Sequence, residues 1–137
     1  MRKFYVFNVN KETSIISKES PYILFKSFES IYNADRSDFN MAKTLYGQLS
    51  LKLNKSMLNQ KIISNYKDNQ YYIFNGKEHK NYNKYKDELC NMIVKNSYIQ
   101  VITNSSKIKL LNNIKGYNLF VCDFENKDYF WLNEICC

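Results

Sequence analysis

Leu89–Thr103, LCNMIVKNSYIQVIT, holds two apolar, β-branched runs, Leu89–Val94 and Tyr98–Thr103, around the polar triplet Lys95-Asn96-Ser97. In each run apolar residues recur at every second position, the period of a strand with one face buried. Two such runs three residues apart read as a β-hairpin. Phe4-Tyr5-Val6-Phe7 and Leu119-Phe120-Val121-Cys122 carry the same aromatic and β-branched character, and all four runs are expected in one sheet. Tyr71–Phe74 reads as a further strand, ended by the turn signal Asn75-Gly76.

Between these strands the period changes. Asn8–Glu19 is polar except for Val9, Ile15 and Ile16 and is expected to hold a short second strand. Ser20-Pro21 is a helix start: serine can cap the free amides, and proline at the first position has no amide to satisfy. Leu24, Phe25, Phe28, Ile31 and Tyr32 follow with helical spacing. A second helix is expected from Ser37-Asp38, with the stripe Ala42, Leu45, Tyr46, Leu49 and Leu53, and a third over Ser56–Tyr66. A short helix is expected over Ser105–Ile114, stopping before Gly116. The aromatic-rich stretch from Asp123 to Cys137 contains the single tryptophan, Trp131, which reads as core. The sum is one α+β domain over residues 1–137, a mostly antiparallel or mixed sheet with three or four helices, neither half of which is expected to fold alone.

The chain has 137 residues, 20 basic and 13 acidic, for a formal charge of +7. Such a charge favours nucleic acid or acidic partners. Only Arg2 and Arg36 are arginines, however, and the remaining basic residues are lysines. The abundance of Lys, Asn, Ile, Tyr and Phe, beside three glycines and one proline, follows A/T-rich codon usage. Arginine is the usual reader of phosphate through its planar fork, so the charge argues only weakly for DNA.

Cys90 and Cys122 lie in apolar runs and read as small core residues, and Cys136-Cys137 reads as a reduced, dangling pair. With one histidine, His79, and no paired cysteine spacing, no zinc site is expected. Reduced cysteines and the lack of a signal-like or membrane-spanning apolar run lead to the expectation of a cytoplasmic protein.

The inventory is poor in catalytic groups. Gly47, Gly76 and Gly116 are too scattered to form a phosphate-cradling loop. His79 lies in the charged stretch Gly76-Lys-Glu-His-Lys-Asn81 and is expected on an exposed loop, where a base is poorly held. Asp123, at the end of a strand, has Glu125 and Asp128 near it, but an aspartate there is expected to cap the following turn instead of holding a metal. Neither an enzyme nor a cofactor is expected. Lys77–Lys86 interleaves four lysines with Tyr82 and Tyr85, a pattern that can bind nucleic acid, and here is expected to be solvated loop. A small basic nucleic-acid-binding domain is therefore the alternative reading. Beside the stripe of the second helix, Asn40, Lys43, Thr44, Gly47 and Gln48 form a polar face of low charge that can accept another helix.

Asp123-Phe124, four residues, Tyr129, one residue and Trp131-Leu132-Asn133 resemble the closing motif of the SirA family, sporulation inhibitors of replication. The basic-then-aromatic opening Arg2–Phe7 and the hairpin Met92–Lys95 with Tyr98–Ile102 are similar to the first strand and hydrophobic hairpin of that family. The resemblance implies an α/β fold and a non-enzymatic role. Members act when the cell commits to sporulation, bind the N-terminal domain of the initiator DnaA and restrain new rounds of replication. On that basis the partner is the DnaA N-terminal domain, without direct nucleic-acid or membrane binding, and the protein acts as a monomer. The expected contacts are the segment Thr13–Ser17, at whose ends Thr13 and Ser17 the family carries aromatic residues, with Asn40, Lys43, Thr44 and Gln48 on the exposed side of the second helix.

Overall fold

The computed structural model describes residues 1–112, 114 and 116–132. Among the described residues it is an α+β fold of seven strands and four α-helices, in the order β1 (Arg2–Asn8), α1 (Lys11–Ser17), α2 (Pro21–Tyr32), α3 (Phe39–Leu49), α4 (Lys55–Tyr66), β2 (Tyr72–Phe74), β3 (Glu78–Asn83), β4 (Glu88–Val94), β5 (Ile99–Thr103), β6 (Leu119–Asp123) and β7 (Asp128–Trp131). The four strands expected to share a sheet do so, in the strand order β2-β3-β4-β5-β1-β6-β7. The chain packs as two compact units, both discontinuous in sequence: Met1–Val6 with Lys52–Gly116, and Phe7–Leu51 with the chain from Tyr117 onward.

In the first unit β2, β3, β4, β5 and the start of β1 pair antiparallel. The hairpin expected over Leu89–Thr103 forms, with Cys90 opposite Thr103 and Val94 opposite Ile99. Phe4, Val6, Met92, Val94, Ile99 and Val101 point to one face and are buried with Leu58 and Ile62 of α4. Asn54 starts α4 by accepting from the Met57 amide at 3.1 Å. Gly76 (φ 95°) and Asp87 (φ 50°) turn the β2–β3 and β3–β4 hairpins in the left-handed region.

The second unit packs α1, α2 and α3 with the end of β1 and the β6–β7 hairpin. Its core is aromatic: Phe7 stacks on Phe28 with ring centroids 4.1 Å apart, Phe25 on Tyr129 at 4.9 Å, and Phe120 lies 4.9 Å from Trp131. Asp123 is buried and caps the β6–β7 turn, accepting from the Asn126 amide at 3.2 Å and its side-chain nitrogen at 2.7 Å. Its carboxylate serves the turn, as expected, while Glu125 and Asp128 are exposed.

Several expectations change. The segment around Ile15 and Ile16 is helix α1, not a strand, because Asn10 caps it by accepting from the Thr13 amide at 2.8 Å. Pro21 opens α2, but Ser20 makes no side-chain cap. Ser105–Ile114 is not a helix; it contains one 3₁₀ turn, Lys109–Leu111, whose leucines are buried. Leu53 lies beyond α3, and the remaining stripe of that helix is half-buried, not core. Lys77–Lys86 is not loop: most of it is β3 and the turn that follows. Asn133, Cys136 and Cys137 lie outside the described residues.

Trp131 is 4% exposed. Trp131→Ala should lower unfolding stability by about 3–5 kcal/mol in a denaturant titration, the usual cost of emptying a large aromatic site; an unchanged midpoint would mean that the ring contributes no packing.

Candidate protein-docking surface and a buried histidine

The expected contact residues all lie in the second unit, and a short backbone junction brings their two elements together. The Asn10 amide donates to Leu49 O at 3.0 Å, and its side-chain nitrogen donates to Gln48 O. The first turn of α1 therefore sits beside the last turn of α3.

On α3, Asn40, Lys43, Thr44 and Gln48 are all exposed, with Gly47 among them. Their spacings of 3, 1 and 4 residues put them on one helix face. Thr44 donates its hydroxyl back to Asn40 O at 3.0 Å, so the threonine presents its methyl group outward. Lys43 is the one charge on that face.

On α1 the two expected residues are not on the surface in the same way. Thr13 is half-buried, and Ser17 is buried and faces inward, so it is not a surface contact. The reason is helical phase. Ser14 and Ser17, three residues apart, turn toward the protein, and Ile15 and Ile16 turn to solvent with 65% and 76% of their surface exposed. Small hydroxyls let α1 lie close on its neighbour, and Ser14 satisfies its own by donating to Lys11 O at 2.8 Å. Two adjacent isoleucines left in water are costly, since burying each is worth about 1.5–3 kcal/mol. Reading the segment as a strand hid them. The signal that could have found them is the Asn10 cap together with serines at helical spacing.

The unit also holds Glu29, a buried carboxylate at the end of α2. Lys127 and then Lys26 hydrogen-bond to it and hold its carboxyl below the usual range.

His79 overturns its expected place on an exposed loop. It sits on the inward face of β3 with no exposed surface. The alternation of β3 decides this: His79, Asn81 and Asn83 face inward, while Lys80 and Tyr82 face out. Its Nε2 meets Asn59 Oδ1 at 2.7 Å, and since that oxygen can only accept, the ring proton lies on Nε2. Nδ1 then accepts from the Tyr72 hydroxyl at 2.6 Å, and Phe74 stacks on the ring at 4.4 Å. Burial lowers the histidine from its ordinary 6.5 to about 4 and raises Tyr72 to about 12. The ring stays neutral and ties α4 to β2 and β3.

Farther along the same face lies a cavity of about 270 Å³, lined by Asn81, Asn83, Tyr66 and the ion-paired Glu88 and Lys109 together with the buried Cys90 and Thr103. Burial pushes the Cys90 thiol up to about 11, so it is protonated at neutral pH and a weak nucleophile. Thr103 donates to Leu89 O at 2.6 Å.

Compared with known proteins, the chain matches no family model and no curated protein. Among the described residues no group of histidine, cysteine and carboxylate side chains could hold a metal ion, and no helix is long and apolar enough to cross a membrane.

The neutral histidine makes stability depend on pH. The unfolded chain takes up this proton near pH 6.5 and the folded chain only near pH 4. Stability present above pH 6.5 should therefore fall as pH drops toward 4, by about 3 kcal/mol from this group. His79→Gln keeps a donor for Asn59 without a titrating ring. Denaturant midpoints measured between those pH values should fall less steeply for it than for the parent, and parallel curves would refute the assignment.

Proposed function

We propose that this protein is a negative regulator of chromosome replication during sporulation, a cytoplasmic monomer that binds the N-terminal domain of DnaA and carries out no catalysis. The closing motif Asp123–Asn133, the opening strand and the β4–β5 hairpin support the family reading on which this partner rests. The single observation that carries a docking role is the inverted helix α1. It buries Ser14 and Ser17, exposes Ile15 and Ile16, and begins beside the low-charge face of α3. Apolar side chains held in water by a capped helix gain by being covered, and on the α3 face only Lys43 brings charge desolvation that opposes docking.

In this reading Ile15 and Ile16 stand in for the aromatic anchors that the family carries in the segment after the first strand. Asn40, Thr44 and Gln48 supply complementary contact, and Lys43 lies among them. Aliphatic anchors without a large aromatic ring predict modest affinity. Occupying a surface of DnaA that its own regulators or assembly require is enough to block initiation.

Titration of the purified protein with the DnaA N-terminal domain of the same organism tests this directly. Binding is expected, weakened by about tenfold or more when Ile16→Asp is introduced, and likewise by Thr44→Arg with Gln48→Glu. No binding by the unmodified protein rejects the partner, and binding indifferent to these changes rejects the surface alone.

A further inference from the structure

We propose that the outward face of β3 and the turn after it form a second binding site, for single-stranded nucleic acid. A solvated loop would scatter the side chains of Lys77–Lys86 in all directions. The strand does not: its alternation sends Lys80 and Tyr82 to one face, opposite His79 and Asn81. The antiparallel register sets Ile73 of β2 across from Lys80, and Leu89 of β4 across from Tyr82. Ile73 and Tyr82 are both exposed, and the turn adds exposed Lys84, Tyr85 and Lys86, with the Lys84 ammonium 5.5 Å from the centre of the Tyr85 ring.

The patch thus combines flat apolar and aromatic surface with three lysines. Glu78 lies on the same face, half-buried, and Asp87 in the turn accepts from the Tyr82 hydroxyl at 3.3 Å, holding that ring in place. This is the chemistry of a single-strand platform, where rings stack on bases of any identity and cations follow the backbone. The shortage of arginine, the usual phosphate reader, argues against base-edge reading in a duplex groove, but backbone neutralisation along a single strand is met by the point charges of lysine. Exposed rings on a strand face can stack only on bases that are not already stacked within a duplex, which favours a single strand.

The site is independent of the DnaA reading, since all its residues belong to the first unit. It is tested by fluorescence anisotropy of the full chain with a labelled oligothymidine or oligouridine of roughly 12 nucleotides. Binding is expected near 50 mM salt and should weaken steeply by about 200 mM. Changing Lys80, Lys84 and Lys86 together to Gln should reduce the log–log salt slope by about 2. Tyr82→Ala should weaken binding about tenfold, and Tyr82→Phe should keep it, because the ring and not the hydroxyl stacks. Should Tyr82→Ala disturb the fold, Tyr85→Ala reads the same property from the turn. The proposal is overturned by absence of binding at low salt, by binding that responds to the lysines but to neither tyrosine, or by a duplex bound as tightly as the single strand. Displacement of the oligonucleotide by polyglutamate at equal charge would overturn it in favour of an acidic protein partner.

Discussion

Residues Asn8–Asn10 are the constraint on which the second unit depends. Within three residues the chain leaves a strand and enters a helix, and almost every polar group there is used. Asn8 O accepts from the Leu51 amide at 2.8 Å, the Val9 amide donates to Asn118 O at 2.9 Å, and the Asn10 amide donates to Leu49 O at 3.0 Å. The Asn10 side chain caps α1 with its oxygen and donates to Gln48 O with its nitrogen. One short segment therefore joins the start of α1, the end of α3 and the approach to β6. Buried backbone groups have to be paired, so this junction admits little freedom in where α1 lies or how it is rotated.

That rotation is what gives α1 its surface. Seven residues are too few to be a stable helix alone, so its phase is dictated by the cap and by what it packs against. With Ser14 and Ser17 inward, the isoleucines have nowhere to go but out. The same logic, with a period of two in place of 3.6, acts on β3. Pairing to β4 across Glu78–Asn83 sends His79 into the interior and Lys80 and Tyr82 to solvent. Both candidate surfaces are thus consequences of periodicity imposed by neighbours. The buried histidine is the other consequence: its two ring nitrogens are matched to one acceptor and one donor, which is how an imidazole is tolerated without water.

What could be read in advance, and what could not, divides on these grounds. Leu89–Thr103 was legible because Cys90, Met92, Val94, Ile99 and Val101 recur at every second position on one buried face. Phe4–Phe7 and Leu119–Cys122 were legible for the same reason, as was the half-helical repeat of Leu24, Phe25 and Phe28. Asp123 was legible as a turn cap, because a side-chain oxygen at a strand end has amides within reach. β3 was not legible. Glu-His-Lys-Asn-Tyr-Asn has no apolar alternation, since its inward positions are a histidine and two asparagines. Nor was α1, whose inward positions are serines and whose outward ones are isoleucines. Any reading that equates apolar with inside inverts it. Of the candidate surface, the exposure of Asn40, Lys43, Thr44 and Gln48 followed from the α3 period, whereas Ser17 faces inward and the outward phase of Ile15 and Ile16 depended on recognising the helix.

The sequence by itself determined the class of fold, the central hairpin and the strands able to join one sheet, because burial on one face leaves a period in the residues that the eye can count. It also determined that chemistry-bearing groups are few, since an inventory needs no coordinates. Only the tertiary structure decided which way polar segments face. A strand or helix whose inward residues are Ser, Asn or His records no hydrophobic period, and its orientation is set by hydrogen bonds to distant partners: Asn59 and Tyr72 for His79, Leu49 and Gln48 for Asn10. Apart from Tyr72, which is 7 residues away across one hairpin, those partners lie 20, 39 and 38 residues away along the chain, where no local reading can see them.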